Sequence, residues 1–267
     1  MVGLLNSQSE VGSQMNATQV SIPNRSIDRS AGRWFYAFMA AVAVGISIVA
    51  FAPSIAYPAG RLGPLTPLAM IHGFVFFAWL MVFLTQTILV ETRKIDIHRT
   101  LGTASMVLAA GMIVVGYETT VALARRGYDL SGDLGGKPGA GDLNVLGQMI
   151  FPLSDIFMFA VLIAAGYIYR RRAAAHKRLM LFATLTLMPA PFGHLIGHFA
   201  VLRSHSLIIV PLIAISLGLS AVYDRIFLGR IHPLSLWLAI SIFVIDNVCA
   251  AVAPSAAWQQ IAGWLAS

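Results

Sequence analysis

Six titratable side chains that are able to bind a metal ion or move protons stand inside apolar stretches of the sequence. They are His72, Glu118, Asp155, His194, His198 and Asp246. An ionisable residue within a membrane span costs about 2.5–3.5 kcal/mol on insertion scales, and such residues usually mark a functional site. At about 1.5 Å of helix per residue, all six fall within about 10 Å of one depth. We interpret them as one polar layer, contributed by five different spans.

The strongest metal-binding pattern in this layer is a pair of histidines four residues apart, His194 and His198. At this spacing two imidazoles lie on one helix face and bind one metal ion, as in His-x-x-x-His zinc sites. Gly193 and Gly197 interleave with the pair, and small residues at this spacing are also typical of a helix-packing face. Pro189, shortly before, predicts a kink. The segment therefore indicates either a metal site or a closely packed polar seam.

A metal ion in this layer needs further ligands from neighbouring spans. The predicted metal ligands are His72, Asp155, His194 and His198, with Glu118 as the catalytic acid or base. Zinc or iron held there lowers the pKa of a bound water molecule and supports hydrolytic or redox chemistry. The alternative is a proton or ion site in a non-catalytic membrane factor or transporter.

A second pair of histidines stands at the opposite ends of the spans. His98 opens the sequence His-Arg-Thr-Leu-Gly and His176 opens His-Lys-Arg-Leu-Met, each where a span begins after a basic corner. At matched depth on two helices, His98 and His176 are candidate axial ligands of haem b, with neighbouring basic residues available to the propionates. The haem reading also offers an outer axial pair, His72 with His194 or His198. The alternative is that both are ordinary polar residues at headgroup depth.

The elements that must position these residues are strongly apolar. Of the 267 residues 58% are hydrophobic and 11% are charged, against roughly 25% charged in an ordinary soluble domain. The net charge of +7 comes from short basic clusters between apolar runs. Clusters placed in this way are typical of residues that orient a protein in the membrane, and not of a nucleic-acid-binding surface. A soluble domain and a nucleic-acid partner are therefore excluded, and the expected surroundings are a lipid bilayer.

Seven apolar stretches have roughly the 17–25 residues needed to cross a bilayer. We predict spans at about 34–52, 68–90, 101–122, 149–169, 179–200, 207–223 and 233–252. Residues 1–33 are predicted to be a disordered cytoplasmic segment, and residues 254–267 an interfacial tail. The predicted fold class is an all-α integral membrane protein, a seven-transmembrane-helix bundle over residues 34–253.

Lysine and arginine are divided unevenly between the two ends of this bundle. Thirteen of the 18 stand in the N-terminal segment or in the corners after spans two, four and six. The positive-inside rule then predicts that the N-terminus is inside and the C-terminus outside. The layer around His72 falls in the outer leaflet, whereas His98 and His176 fall at the cytoplasmic side.

Seven-residue spacing marks one face of two spans. In the second span His72, Trp79 and Gln86 share a face, and we predict that it points into the bundle because a glutamine facing lipid is costly. In the third span Ala104 and Gly111 form a small-residue stripe leading towards the polar layer. The stripe predicts a close approach of another helix.

Several of these motifs carry a family resemblance that covers spans two to five. They are His72-Gly73-Phe74, Trp79, Gln86 and the span starts at His98 and His176. The chain resembles uncharacterised bacterial polytopic inner-membrane proteins, which implies a multi-pass protein of the bacterial inner membrane. It also resembles cytochrome b561-type haem proteins, which place histidines at both membrane faces and bind haem b. Within the bilayer we expect a lipid or a quinone-like small molecule as partner.

In outline the chain is also similar to the intramembrane ceramidase and adiponectin-receptor hydrolases, which combine seven helices with histidines and an aspartate. Those families carry the paired histidines on the last helix and a serine one turn before the first histidine. Here the pair is on the fifth span and Leu68 occupies the serine position.

Overall fold

The computed structural model describes residues 32–57, 63–127, 143–198 and 208–267, and every regular element in these ranges is a helix. Seven helical segments are long and apolar enough to cross a membrane. The predicted all-α class and the number of spans are thereby confirmed for the described part of the chain. Apart from residues 32 and 33, the predicted disordered segment 1–33 lies outside the described residues.

The helices are numbered here in chain order. They are α1 (Phe35–Ala56), α2 (Pro67–Glu91), α3 (Ile95–Arg126), α4 (Val145–Gln148), α5 (Ile150–Ile168), α6 (Ala173–Leu185), α7 (Pro189–His198), α8 (Ile209–Phe227), α9 (Pro233–Val252) and α10 (Ala256–Ala266). The pairs α4 with α5 and α6 with α7 each form one interrupted span. The predicted kink before the histidine pair is a full break, because α6 ends at Leu185 and α7 begins on Pro189, whose nitrogen has no hydrogen to donate.

Local signals explain where several helices begin and end. The Thr66 hydroxyl oxygen accepts a hydrogen bond from the Ala69 backbone N–H, and Pro67 occupies the first turn of α2. Helix α3 ends at Gly127, whose φ of 77° suits a residue without Cβ. This helix extends beyond the predicted 101–122 at both ends, since an acid in its first turn and arginines in its last turn favour the helix dipole.

The core confirms the predicted inward face of α2. Trp79 is 1% exposed, its indole N–H donates to the Thr184 hydroxyl oxygen at 3.2 Å, and its ring meets Phe159 edge-on at 5.1 Å. The close helix approach predicted at the small-residue stripe of α3 is wrong, because a Cβ added at Gly111 meets no atom of another element within 4 Å. The close approach occurs instead at Gly116, where α3 packs against α2 and α5.

Helix α10 is anchored to the end of the bundle formed by α3 and α4. Arg125 donates from Nε to the Ala266 carbonyl oxygen at 3.0 Å, and the Trp258 indole N–H donates to the Leu146 carbonyl oxygen at 2.9 Å. The predicted tail is therefore helical, and its place at the membrane interface stays a prediction. We call the opposite end, with the corners at residues 92–94, 169–172 and 228–232, the basic end.

Candidate functional site

Two histidines from different helices face each other at the basic end. The ring centres of His98 on α3 and His176 on α6 are 6.2 Å apart, and the ring planes are inclined by 79°. The His176 Nδ1 atom is 2.8 Å from the carbonyl oxygen of Gly166. Because a carbonyl oxygen only accepts, Nδ1 donates to it, and in the neutral ring Nε2 then keeps a lone pair. Metal-bound histidines commonly hold their other ring N–H on a backbone carbonyl in this way.

The surroundings of His98 contain buried polar atoms that lack partners. Within the described residues, His98 Nδ1 and both amide atoms of Gln86 are buried and make no hydrogen bond. The Gln86 side-chain amide nitrogen lies 3.4 Å from a Cβ built at Gly102, which is one helical turn from His98. A buried polar group left unpaired costs about 1–3 kcal/mol, so three such atoms together indicate a further group that pairs with them. We call His98, His176 and Gln86 the inner histidine site.

At the opposite end, a hydrogen bond fixes the proton of His72. Its Nδ1 is 3.2 Å from the Thr119 hydroxyl oxygen, and that hydroxyl donates its single proton to the Gly116 carbonyl oxygen at 2.8 Å. His72 must therefore donate from Nδ1, which leaves a lone pair on Nε2. The His72 ring also stacks on Phe76 at a centroid distance of 4.1 Å.

The predicted histidine pair lies near His72. The ring centres of His194 and His198 on α7 are 6.2 Å apart, and the His194 ring packs against Phe51 of α1 at 4.4 Å. His72 lies close enough to His194 for their charges to interact. The structure thus places His72 and the His194 and His198 pair at the same end of the bundle, but within the described residues the three rings are not close enough together to hold one metal ion.

The predicted acids have other neighbours. Asp155 belongs to α5 and Asp246 to α9, two helices that pack against each other, and one buried carboxylate oxygen of Asp246 has no hydrogen-bond partner within the described residues. Glu118 is exposed on the surface of α3.

The geometry therefore divides the predicted outer ligand set. Across the described ranges, no group of three or more His, Cys, Asp or Glu residues is close enough to hold a metal ion. Asp155 and Asp246 belong to α5 and α9, whereas the histidines belong to α2 and α7. A metal ion in this outer layer stays a prediction.

The charged residues that are most buried within the described ranges belong to none of the predicted sites. Arg178 on α6 and Asp224 on α8 form an ion pair, 1% and 0% exposed. Arg178 donates from Nε to the Ser235 hydroxyl oxygen at 2.8 Å, and Ser235 donates to Asp224 Oδ2 at 2.5 Å. Ser220 also donates to the Ser235 hydroxyl at 3.3 Å. These residues form a buried ion-pair network that ties the last three spans together at the basic end.

Sequence reasoning missed this network because it left the two charged members, Arg178 and Asp224, outside the predicted spans. The sixth span was predicted to end at residue 223, whereas α8 continues to Phe227 and includes Asp224. The available signal was Ser220 four residues before Asp224, which places both side chains on one helix face.

His232 supports the network from the corner between α8 and α9. Its backbone N–H donates to Asp224 Oδ2 at 3.2 Å, and its Nδ1 accepts from the Leu234 N–H at 3.1 Å. Burial lowers the pKa of His232, and the positive charge of Arg178 lowers it further. The neutral ring required of a capping acceptor is therefore favoured.

Comparison of the chain with protein-family models, with curated proteins and with solved structures finds no match. The resemblances to bacterial polytopic membrane proteins and to cytochrome b561-type proteins stay predictions. A function must therefore be argued from the side chains that the helices bring together.

Proposed function

We propose that this chain is a membrane-embedded redox protein that binds haem b between His98 and His176. The supporting observation is the distance of 6.2 Å between the two ring centres. Rings this close on two different helices would be able to hold the iron of one haem group as its two protein ligands. Haem b held by His98 and His176 would supply one-electron transfer.

The chain's own residues have defined roles in this proposal. His176 is oriented by its bond to the Gly166 carbonyl oxygen, and His98 supplies the facing ring. Gln86 brings a buried amide whose donor and acceptor are unused within the described residues. Arg99 follows His98 and is exposed at the helix end, so it supplies a positive charge for a propionate.

Ligand number favours haem over a catalytic zinc site. A catalytic zinc ion takes three protein ligands and a water molecule, and the described residues contain no group of three His, Cys, Asp or Glu residues at that spacing. Haem needs only two ligands from the protein, because the porphyrin supplies the other nitrogens. Two facing histidines meet that requirement.

Zinc or iron in the outer layer is a second candidate, supported by His194 and His198, which lie four residues apart on α7 with ring centres 6.2 Å apart. Elemental analysis of the purified protein tests it. The expected result is about one metal ion per chain, lost in His194→Ala, as for a histidine-held site. Retention of the metal in that variant would exclude the outer site.

The haem proposal is tested by optical spectroscopy. The protein is produced with added δ-aminolevulinate, purified in detergent and recorded in oxidised and reduced states, with haem quantified as the pyridine adduct. We expect a Soret band in the parent protein and at least tenfold less haem in His98→Ala and in His176→Ala. His232→Asn is the matched control, since asparagine preserves the helix cap at the same end of the bundle.

Helical content by circular dichroism identifies variants that fail to fold. A folded parent protein without a Soret band would overturn the proposal. Haem that survives in both inner variants and is lost in His72→Ala would place the group at the other end, which also contradicts it.

A further inference from the structure

An apolar groove of about 440 Å³ opens between α3 and α5. It is lined by residues that include Thr103, Met106, Ala110, Ala160, Ala164 and Tyr167. The small alanine side chains in its walls leave room that larger side chains would fill, and the groove lies between two candidate membrane spans. A hydrocarbon chain is therefore the kind of ligand that its walls accept.

One end of the groove reaches the basic end of the bundle. The Thr103 hydroxyl donates to the carbonyl oxygen of Arg99 at 3.0 Å, one turn earlier on α3. On the other wall, Arg170 Nη1 donates to the Tyr167 carbonyl oxygen at 3.0 Å, and its guanidinium carbon stands 4.3 Å from the centre of the Tyr167 ring. Since a guanidinium has five N–H donors, Arg170 has donors left for a ligand at this rim.

The charge around this rim is strongly positive. The two corners beside it contain Arg93, Lys94, Arg99, Arg170, Arg171 and Arg172. Of the nearby acids, Glu91 is paired with Arg33 at 3.5 Å, which leaves Asp96 as the carboxylate of the α3 first turn. An anionic group is attracted to this end of the groove, and a neutral one is not.

We propose that the groove binds one anionic phospholipid, with an acyl chain between Ala110 and Ala164 and the phosphate at Arg99 and Arg170. The apolar walls match the chain, and guanidinium groups bind phosphate oxygens through charge-assisted hydrogen bonds. This site shares Arg99 with the haem proposal, but it does not depend on haem, because none of His98, His176 and Gln86 lines the groove. It makes the chain selective for lipid charge at its basic end.

Native mass spectrometry of the detergent-purified protein tests the proposal, with phosphatidylglycerol and phosphatidylcholine added at equal concentration. We expect one phosphatidylglycerol to be retained at least tenfold more than phosphatidylcholine. Ala110→Phe fills the groove and should abolish retention. Ala104→Phe is the matched control, because Ala104 is exposed on the same helix and does not line the groove.

The charge requirement is tested separately by the double variant Arg99→Gln with Arg170→Gln, which should lose the preference for phosphatidylglycerol. Arg225→Gln removes one positive charge at the same end, away from the groove, and should keep it. Glycerol 3-phosphate, which has the headgroup charge without acyl chains, should not displace the lipid. Equal retention of the two lipids, or equal loss in Ala104→Phe and Ala110→Phe, would overturn the proposal.

Discussion

For single residues, hydrogen bonds determine which histidine nitrogens are available to a ligand. His176 and His72 each donate from Nδ1, to Gly166 and to Thr119 respectively, so that Nε2 keeps its lone pair. His232 has the opposite arrangement, since its Nδ1 accepts from the backbone of α9. His232 therefore uses its ring nitrogen to cap α9, and it is a control for the histidine variants, not a candidate ligand.

The buried pair of Arg178 and Asp224 yields a stability prediction at this scale. Asp224→Ala leaves the Arg178 charge buried and unpaired, which is expected to cost about 3–5 kcal/mol of unfolding free energy. Thermal unfolding in detergent measures the loss. The control is Arg33→Ala, because Arg33 is half exposed in its pair with Glu91 and an exposed pair contributes about 0–1 kcal/mol.

A second variant separates loss of the charge pair from loss of packing. Replacing both residues, as Arg178→Met with Asp224→Ala, removes the unpaired charge and should recover much of the stability lost in Asp224→Ala alone. Equal unfolding temperatures for Asp224→Ala and Arg33→Ala would contradict a structural role for the pair.

Among the helices, the apolar cores of the spans were predictable and their charged ends were not. The seventh span was predicted at 233–252, and α9 runs from Pro233 to Val252. Counting apolar residues stops at the first charge, whereas a helix continues through a charge that is paired within the bundle, as α8 does through Asp224.

The candidate site was predictable in depth but not in lateral position. The matched depths of His98 and His176 follow from their places at two span starts. Their distance of 6.2 Å depends on which helices are neighbours, and residue spacing along one chain does not contain that information. For the same reason Glu118 was assigned to the polar layer by depth, although its side chain is exposed on α3.

The helix contacts also predict that Gly116, and not Gly111, is needed for the packing of α3. A Cβ added at Gly116 lies 2.0 Å from Cδ1 of Ile156 and 3.3 Å from Cζ of Phe76, whereas one added at Gly111 meets no other element within 4 Å. Gly116→Val should therefore lower the unfolding free energy by about 1–3 kcal/mol through overpacking. Gly111→Val is the control for helix propensity, and thermal unfolding compares them. Equal stability of the two variants would show that the contact at Gly116 does not limit packing.

For the whole molecule, α2 connects the two groups of histidines. His72 stands near one end of this helix, and Gln86 stands beside His98 near the other, about 21 Å away along the helix axis. The buried Trp79 lies midway between them. Under the proposed function, the inner histidine site receives or delivers electrons at the basic end, and any redox centre at His72 would lie near the opposite surface.

The direction of such electron transfer depends on which end of the molecule faces the cytoplasm, and the positive-inside rule makes a definite prediction. The single cysteine, Cys249, is first replaced by alanine. Ala173→Cys then introduces an exposed thiol at the basic end, and Ala257→Cys introduces one on α10 at the opposite end. A membrane-impermeant maleimide added to intact spheroplasts should label position 257 at once and position 173 only after the membrane is permeabilised. The reverse pattern would show that the molecule is inserted in the opposite direction, with the inner histidine site and the basic end of the lipid groove at the outer surface. Labelling of both positions in sealed spheroplasts would contradict three membrane crossings between residues 173 and 257.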